Sequence, residues 1–384
     1  MKITCERTLP RILSLGNDNE TAIRISNLSA LTMDVSVINE LPFQLQERDV
    51  RLDFRLMPHE EKVLNRSIRP TTRGEYDFGN VNVFIRSGIS LLERRIIFDV
   101  GRKVPVYPSL MDVRKYELQA ASYSLNAYGL KKLRRLGHSY EFEQVSPYTV
   151  GDDFQSINWK ATSKQGELMV NKYTDERAQP VYAVIDKSRY MKMPFNGLSL
   201  LDYSINASLI ILNTALKKSD RAGLLTFSDQ LETFIKADNK RNQLNQILER
   251  LYRESETKIE ANYELLYINI LKRISGRSLL LFFTNFESTY ALERVLPVLR
   301  KLNKIHLLVV VVFENSELES YYMQTAKTTQ EIFNHAIANK FADQKRQVIT
   351  TLRQYGIQLI YTRPEDLSIS TLNKYLELKS RGMI

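Results

Sequence analysis

The rhythm of apolar residues changes near residue 105, and that change constrains the fold more than any other feature. Before it the period is two. Leu31, Met33, Val35 and Val37 alternate with Thr32, Asp34 and Ser36; Leu52, Phe54 and Leu56 alternate with Arg51, Asp53 and Arg55; Val81, Val83 and Ile85 follow the same rule. Alternation places apolar side chains on one face of a strand. Turn signals at Arg73-Gly74, Phe78-Gly79-Asn80 and Ser87-Gly88 separate the runs. Short strands with no long helix between them predict an antiparallel β-sandwich domain over 1–104.

Beyond residue 179 the runs are continuous. Val181–Ile185, Ser278–Phe283 and His306–Phe313 are almost wholly apolar, and Arg221–Phe227 and Gln358–Tyr361 complete the predicted strands. Helices are predicted at Leu198–Leu216, Lys240–Arg253, Tyr263–Ile274, Leu292–Leu302, Thr328–Tyr355 and Ser370–Lys379. Strands apolar on both faces and separated by helices mean an α/β, Rossmann-like parallel sheet covered on two sides, here over 179–384. Ligand sites in such sheets lie at the carboxyl ends of the strands, where Asp186, Ser188, Ser228, Thr284 and Asn285 fall. The connecting segment, 105–178, follows an extended linker at Val104–Pro108, includes a predicted helix at Arg114–Leu125 and holds the densest motif, Tyr148–Lys160 (YTVGDDFQSINWK).

Composition narrows the function classes. The single cysteine, Cys5, excludes a disulfide framework and a cysteine zinc site. The longest apolar runs fall far short of the ~20 residues of a spanning helix, and the N-terminus lacks the apolar stretch of a signal peptide. The expectation is a soluble, cytoplasmic protein. An excess of 54 basic over 44 acidic residues gives +10, densest at Lys131, Lys132, Arg134 and Arg135. Such a cluster suits a solvated face or anionic lipid headgroups. With no zinc finger, basic zipper or RNA-binding aromatic signature beside it, nucleic acid is disfavoured as a partner.

Gly151, Asp152, Asp153, Ile157, Asn158, Trp159 and Lys160, followed by Leu168-Met169-Val170, resemble the hallmark of the "domain of unknown function 58" family, except that Gln155 stands where the family usually has arginine. Pro70–Gly79 (PTTRGEYDFG) resembles that family's other recurring segment, in its N-terminal sandwich. The resemblance implies a von Willebrand factor A-like domain in the C-terminal half. It also implies an adaptor working with a MoxR-type AAA+ ATPase, often held at the inner face of the cell membrane by a pair of transmembrane helices. Those helices are not in this sequence; the expectation is a soluble variant or a sequence that begins downstream of them.

A von Willebrand factor A domain implies a divalent-cation site of Asp-x-Ser-x-Ser, a loop threonine and a later aspartate. Here Asp186 and Ser188 match, Tyr190 replaces the second serine, Asn285 replaces the aspartate and Asn262 lies near the threonine's place. Oxygen donors suit Mg²⁺, but this degenerate set predicts weak binding or none, with Lys187 and Arg189 available to neutralise Asp186. For the Gly-Asp-Asp motif, the structural expectation is a turn at Gly151, a helix cap from Asp152 or Asp153, and docking of Ile157 and Trp159 onto the core. A partner-docking role for Gly151, Asp152, Asp153, Asn158, Trp159 and Lys160 stands beside it. Phe333, Ile337 and Phe341 read as core contacts. No Walker loop, Gly-x-Ser-x-Gly elbow or His-Glu-x-x-His helix is present. The leading expectation is a non-enzymatic adaptor; the alternatives are a metal-dependent hydrolase or nuclease using Asp152, Asp153 and Asp186, and a basic membrane-surface scaffold.

Overall fold

The computed structural model describes residues 2–47, 51–86, 93–108, 140–149, 152, 154–175, 178–286, 288–315 and 328–384. The predicted helix at Arg114–Leu125 and the basic cluster Lys131–Arg135 lie outside them.

Two antiparallel sheets face each other at the N-terminus. One orders β1 (Ile3–Thr8), β3 (Asn19–Asn27) and β6 (Glu61–Ile68); the other orders β5 (Arg51–Leu56), β4 (Met33–Asn39), β8 (Val81–Arg86) and β9 (Glu93–Phe98). The period-two pattern becomes the core directly. Val35 lies between Phe54 and Ile85, Val37 lies between Leu52 and Val83, and both belong to one core with Cys5, Ile23 and Ile25 of the facing sheet. Leu31, part of the alternation in sequence, lies ahead of β4 and is exposed.

The extended segment at Val104–Pro108 is a sheet strand rather than a linker. β10 (Arg102–Tyr107) pairs antiparallel with β7 (Gly74–Phe78) and parallel with the short β2 (Leu13–Ser14). Val104 and Val106 are fully buried there, with Tyr76, Phe78 and Leu198 of the following domain. Proline disfavours helix but is compatible with an extended strand that does not need its missing N–H, so extended conformation here serves sheet pairing and not a linker.

After β11 (Tyr140–Pro147), α1 (Trp159–Gln165) and β12 (Met169–Asp175) comes a mixed sheet covered by helices on both faces. Its order is β17 (Leu231–Asp238), β16 (Arg221–Phe227), β13 (Pro180–Asp186), β18 (Leu279–Phe283), β19 (Leu307–Phe313) and β20 (Gln358–Thr362). A wholly parallel sheet was expected; β17 is antiparallel to β16. Its mixed composition, LETFIKAD, fits an edge strand covered on one side and lacks the apolar run by which the other strands are recognised. The two-residue strands β14 (Pro194–Phe195) and β15 (Leu198–Ser199) form a small hairpin before the first covering helix.

Helices α2 (Leu200–Lys217), α3 (Gln243–Arg253) and α7 (Leu367–Ser380) cover one face; α4 (Tyr263–Arg273), α5 (Thr289–Ile305) and α6 (Thr329–Gln354) cover the other. α2 starts with a capping box, in which Ser199 and Asp202 satisfy each other's backbone N–H groups. The sandwich is joined to this start. Arg73 Nε lies 2.8 Å from Asp202 Oδ1, and Arg73 Nη1 donates to the Leu251 carbonyl oxygen at 3.0 Å. Tyr107 stacks on Tyr252 with ring centroids 4.6 Å apart. Gly16, at φ 73°, approaches so closely that a Cβ there would meet Leu198 at 2.9 Å.

Candidate functional site

Asp186 ends β13, the central strand through which β16 and β18 are joined. Its carboxylate is fully buried. Oδ1 accepts the Ser188 N–H at 2.8 Å, and Oδ2 accepts from Thr284 Oγ1 at 2.8 Å and the Tyr263 hydroxyl at 3.0 Å. Those two hydroxyls are themselves 2.9 Å apart. Burial pushes the Asp186 carboxyl above its ordinary range, and the donors around it oppose that shift. Burial and the neighbouring carboxylate together hold the Tyr263 phenol well above its usual value.

Lys187 does not neutralise Asp186. It turns the other way, to Glu254 Oε2 at 2.6 Å and to Glu232, and is itself almost fully buried. Glu254 also accepts from Thr226 at 2.8 Å and Thr233 at 2.7 Å, so this buried ion pair is hydrogen-bonded throughout. Arg189 pairs with Glu260, which also accepts from the Tyr190 hydroxyl at 3.1 Å. The residue that occupies the second-serine position thus points its polar end at a surface carboxylate.

The four candidate metal ligands are only partly brought together. Asp186 and Ser188 share a turn, and the Ser188 hydroxyl is buried without a hydrogen-bond partner among the described residues. Asn262 is engaged elsewhere, capping α4 with a side-chain oxygen that accepts the Leu265 N–H at 3.0 Å. Thr284, named from sequence only as a strand-end residue, supplies the hydroxyl that Asn262 was expected to replace. Asn285 Oδ1 accepts from the Lys345 ammonium at 2.6 Å, which also donates to the Phe286 carbonyl oxygen at 3.0 Å. One hydroxyl without a partner is what a cation site would leave, but the rest of the donor set does not fit. Both carboxylate oxygens already accept hydrogen bonds, one ligand is spent on a helix end, and an ammonium sits on another; a divalent ion would face that like charge. No group of three or more His, Cys, Asp or Glu residues suited to a metal occurs among the described residues.

The signature segment also departs from expectation. Gly151 and Asp153 lie outside the described residues. Asp152 is buried, and its Oδ2 accepts the Thr149 N–H at 3.0 Å and the Thr149 hydroxyl at 2.8 Å, closing a tight turn just ahead of a 3-10 helix at Phe154–Ser156. The cap of α1 is Asn158, which accepts the Ala161 N–H at 3.0 Å and donates to Asn171 at 2.8 Å. Ile157 bridges to Val170. Trp159 does not dock on the core: it is 69% exposed, and Phe154 is 71% exposed. Lys160 is exposed beside Trp159. Phe333 and Phe341, read as core contacts, are also exposed, at 63% and 47%, with Ile337. The inward face of α6 is instead marked by Ala338, Val348 and Leu352. Helical spacing alone gives a stripe; it does not say which side of the helix is covered.

The signature segment and the sheet that follows it carry the likeness to a known family. Residues 144–320 match the family described as protein of unknown function DUF58. The DUF58 match takes in the Tyr148–Val170 unit and the sheet as far as β19. The uncharacterized protein YeaD of Bacillus subtilis (strain 168) is 25% identical over 162 residues, which is 42% of this chain and 38% of that protein. The chain therefore spans well under half the length of that relative. Among solved structures, the CARDB domain of the PF1109 protein from Pyrococcus furiosus is 19% identical with a TM-score of 0.19, covering 27% of this chain and 92% of that one. The ASH/PapD-like domain of human CEP192 is 12% identical with a TM-score of 0.21, covering 27% and 86%. The sandwich rests on its own strand pairing rather than on these scores. No helix among the described residues is long and apolar enough to cross a membrane.

Proposed function

We propose that the chain is a non-enzymatic adaptor, with a von Willebrand factor A-like second domain that binds a partner protein at the carboxyl ends of β13 and β18 without a bridging metal ion. The observation that carries this reading is the closed hydrogen-bonding of Asp186. Its oxygens are met by Ser188, Tyr263 and Thr284, which leaves a rigid strand-end platform and no activated nucleophile or poised base. The surface just outside it is polar and charged, with Arg189, Glu260 and Arg294 in one exposed ion-paired group. Exposed Trp159 and Lys160 in the signature segment favour contact with a partner over a purely internal role for that motif.

The resemblance at Gly151–Lys160 and Pro70–Gly79 makes a MoxR-type AAA+ ATPase the partner to test, in protein assembly or maturation at the inner face of the membrane. The test is binding of that ATPase to the full chain, measured by analytical ultracentrifugation with and without EDTA. A complex that survives chelation and is weakened by Arg189→Glu is expected. No complex, or one abolished by EDTA and restored by Mg²⁺, overturns the reading. The hydrolase alternative gains nothing from Asp152, whose carboxylate closes a turn with Thr149.

A further inference from the structure

We propose that the amino end of the six-stranded sheet is a membrane-contact site, at which Lys272, Arg273, Arg277, Arg300, Lys301 and Lys304 face the phosphates of an anionic bilayer. This edge lies opposite the strand-end platform, across the five residues of β18 or about 17 Å. It does not depend on the adaptor reading.

The fold gathers these six cations along one edge. α4 ends at Arg273 and turns through Arg277 into β18; α5 ends at Ile305 and leads into β19. β18, β19 and β20 are parallel and side by side, with Leu279 opposite Leu307 and Val309 opposite Gln358, so the turns that feed them line up. Ring contacts hold three of the cations. Lys301 Nζ lies 5.7 Å from the centre of the Tyr267 ring of α4, Arg300 Cζ 4.4 Å from that of Tyr355 just after α6, and Arg273 Cζ 5.1 Å from that of Phe234. Tyr267 and Phe234 both pack on the face that α4, α5 and α6 cover. Asn303 Nδ2 donates to the Gly356 carbonyl oxygen at 3.3 Å, which ties α5 to the end of α6. All six cations are exposed, and none makes an ion pair among the described residues.

Among the described residues, little at this edge balances that charge. Residues 265–286 and 295–313 hold these six Lys and Arg residues and no Asp or Glu, and 344–364 also lacks both acids. The nearest carboxylate along α5, Glu293, is seven positions, or about 10 Å, up the helix from Arg300. At the same end of the sheet, Asp238 is paired with Lys240 and Asp220 with Lys379, each at 2.7 Å. Cations at a helix end ordinarily answer its dipole, but α4 and α5 together present only about one negative charge there, against six positive. The surplus suits a polyanionic surface. The apolar groups set among the cations select its kind. Leu271 is 45% exposed beside Lys272, Ile305 is 41% exposed beside Lys304, and Tyr355 is 43% exposed under Arg300. A nucleic-acid backbone offers nothing to aliphatic tips. A bilayer takes them at its headgroup boundary while lysine and arginine reach the phosphates.

The test is flotation of the full chain with vesicles of phosphatidylcholine, with or without phosphatidylglycerol. The chain should float with the mixed vesicles, stay behind with the neutral ones, and be released by added salt. Lys272→Gln/Lys304→Gln should partition roughly thirtyfold more weakly onto mixed vesicles, a factor of about five per lysine. Lys2→Gln/Lys103→Gln removes the same charge from exposed positions of the sandwich. It should stay within about twofold of the wild type, because charges away from the contact are screened. Circular dichroism should show both variants folded. No flotation with mixed vesicles overturns the proposal, as does equal flotation with neutral ones or an equal loss in the two double variants. Binding of duplex DNA or soluble polyglutamate through Lys272 and Lys304 without flotation also overturns it, and gives the edge to a nucleic acid or an acidic protein instead.

Discussion

Arg73 of the sandwich lies 2.8 Å from Asp202 of the α/β domain, and both side chains are almost fully buried, at 8% and 10% exposure. Asp202 is also the acidic half of the α2 capping box, so one carboxylate serves a helix start and a domain contact at once. Arg73→Met leaves that carboxylate buried without its cation. The expected loss of stability is about 3–5 kcal/mol, read as a drop in the urea midpoint. The double variant Arg73→Met/Asp202→Asn should recover part of it, because no unpaired charge then remains; a double variant no better than the single one counts against the pair.

Tyr263→Phe removes a donor from Asp186 and a partner from Thr284 while keeping the ring that packs on Phe227 and Phe282. A buried acceptor stripped of one donor costs about 1–3 kcal/mol. Guanidinium titration should show that loss with an unchanged slope. If the midpoint does not move, the hydroxyl is not holding Asp186.

Millimolar Mg²⁺ should leave the thermal midpoint where it is. A ligand that binds only the folded state raises that midpoint by mass action, and the Lys345 ammonium on Asn285 opposes an added cation. A Mg²⁺-dependent rise that Asp186→Ala abolishes would restore the metal site.

His306 is 2% exposed at the end of α5, neither ring nitrogen has a hydrogen-bond partner among the described residues, and burial lowers its pKa below the ordinary 6.5. The unfolded chain therefore takes up this proton more readily than the folded one. Stability from His306 is fully present above pH 6.5 and declines as the pH falls from there through the lowered folded value. His306→Leu should flatten that part of the profile. Urea midpoints compared at about pH 8 and below about pH 6, on either side of the ordinary histidine value, decide it; a parallel decline in both proteins assigns the acid sensitivity elsewhere.

The core was legible because burial writes itself into periodicity. Val35, Val37, Val83 and the run Leu307–Phe313 stand where alternation and continuity place them. Edge strand β17 was not legible, since a strand covered on one side carries a weak pattern. The site was half legible. Asp186 and Ser188 could be found from a strand end, but the Tyr263 hydroxyl reaches Asp186 across 77 positions of sequence, and no local signal records that contact. Asn262 and Asp152 show the opposite limit. Both were read for what their chemistry allows, and both are used by the nearest backbone N–H, at Leu265 and Thr149. A helix-capping reading of Asn262, two residues ahead of Glu264 in a first turn, was open from sequence alone.

Helix α7 has a consequence for how the chain is made. α7 lays Leu372, Tyr375 and Leu378 over α2 and the sheet, and Tyr375 and Lys379 both bond Asp220 at the start of β16. Every other element of that face is synthesised earlier. Until residues 367–380 have emerged from the ribosome, α2, the most apolar helix among the described residues, has one flank open to solvent. The nascent α/β domain must therefore wait, partly assembled and exposed to aggregation or chaperone capture, for α7 to close it.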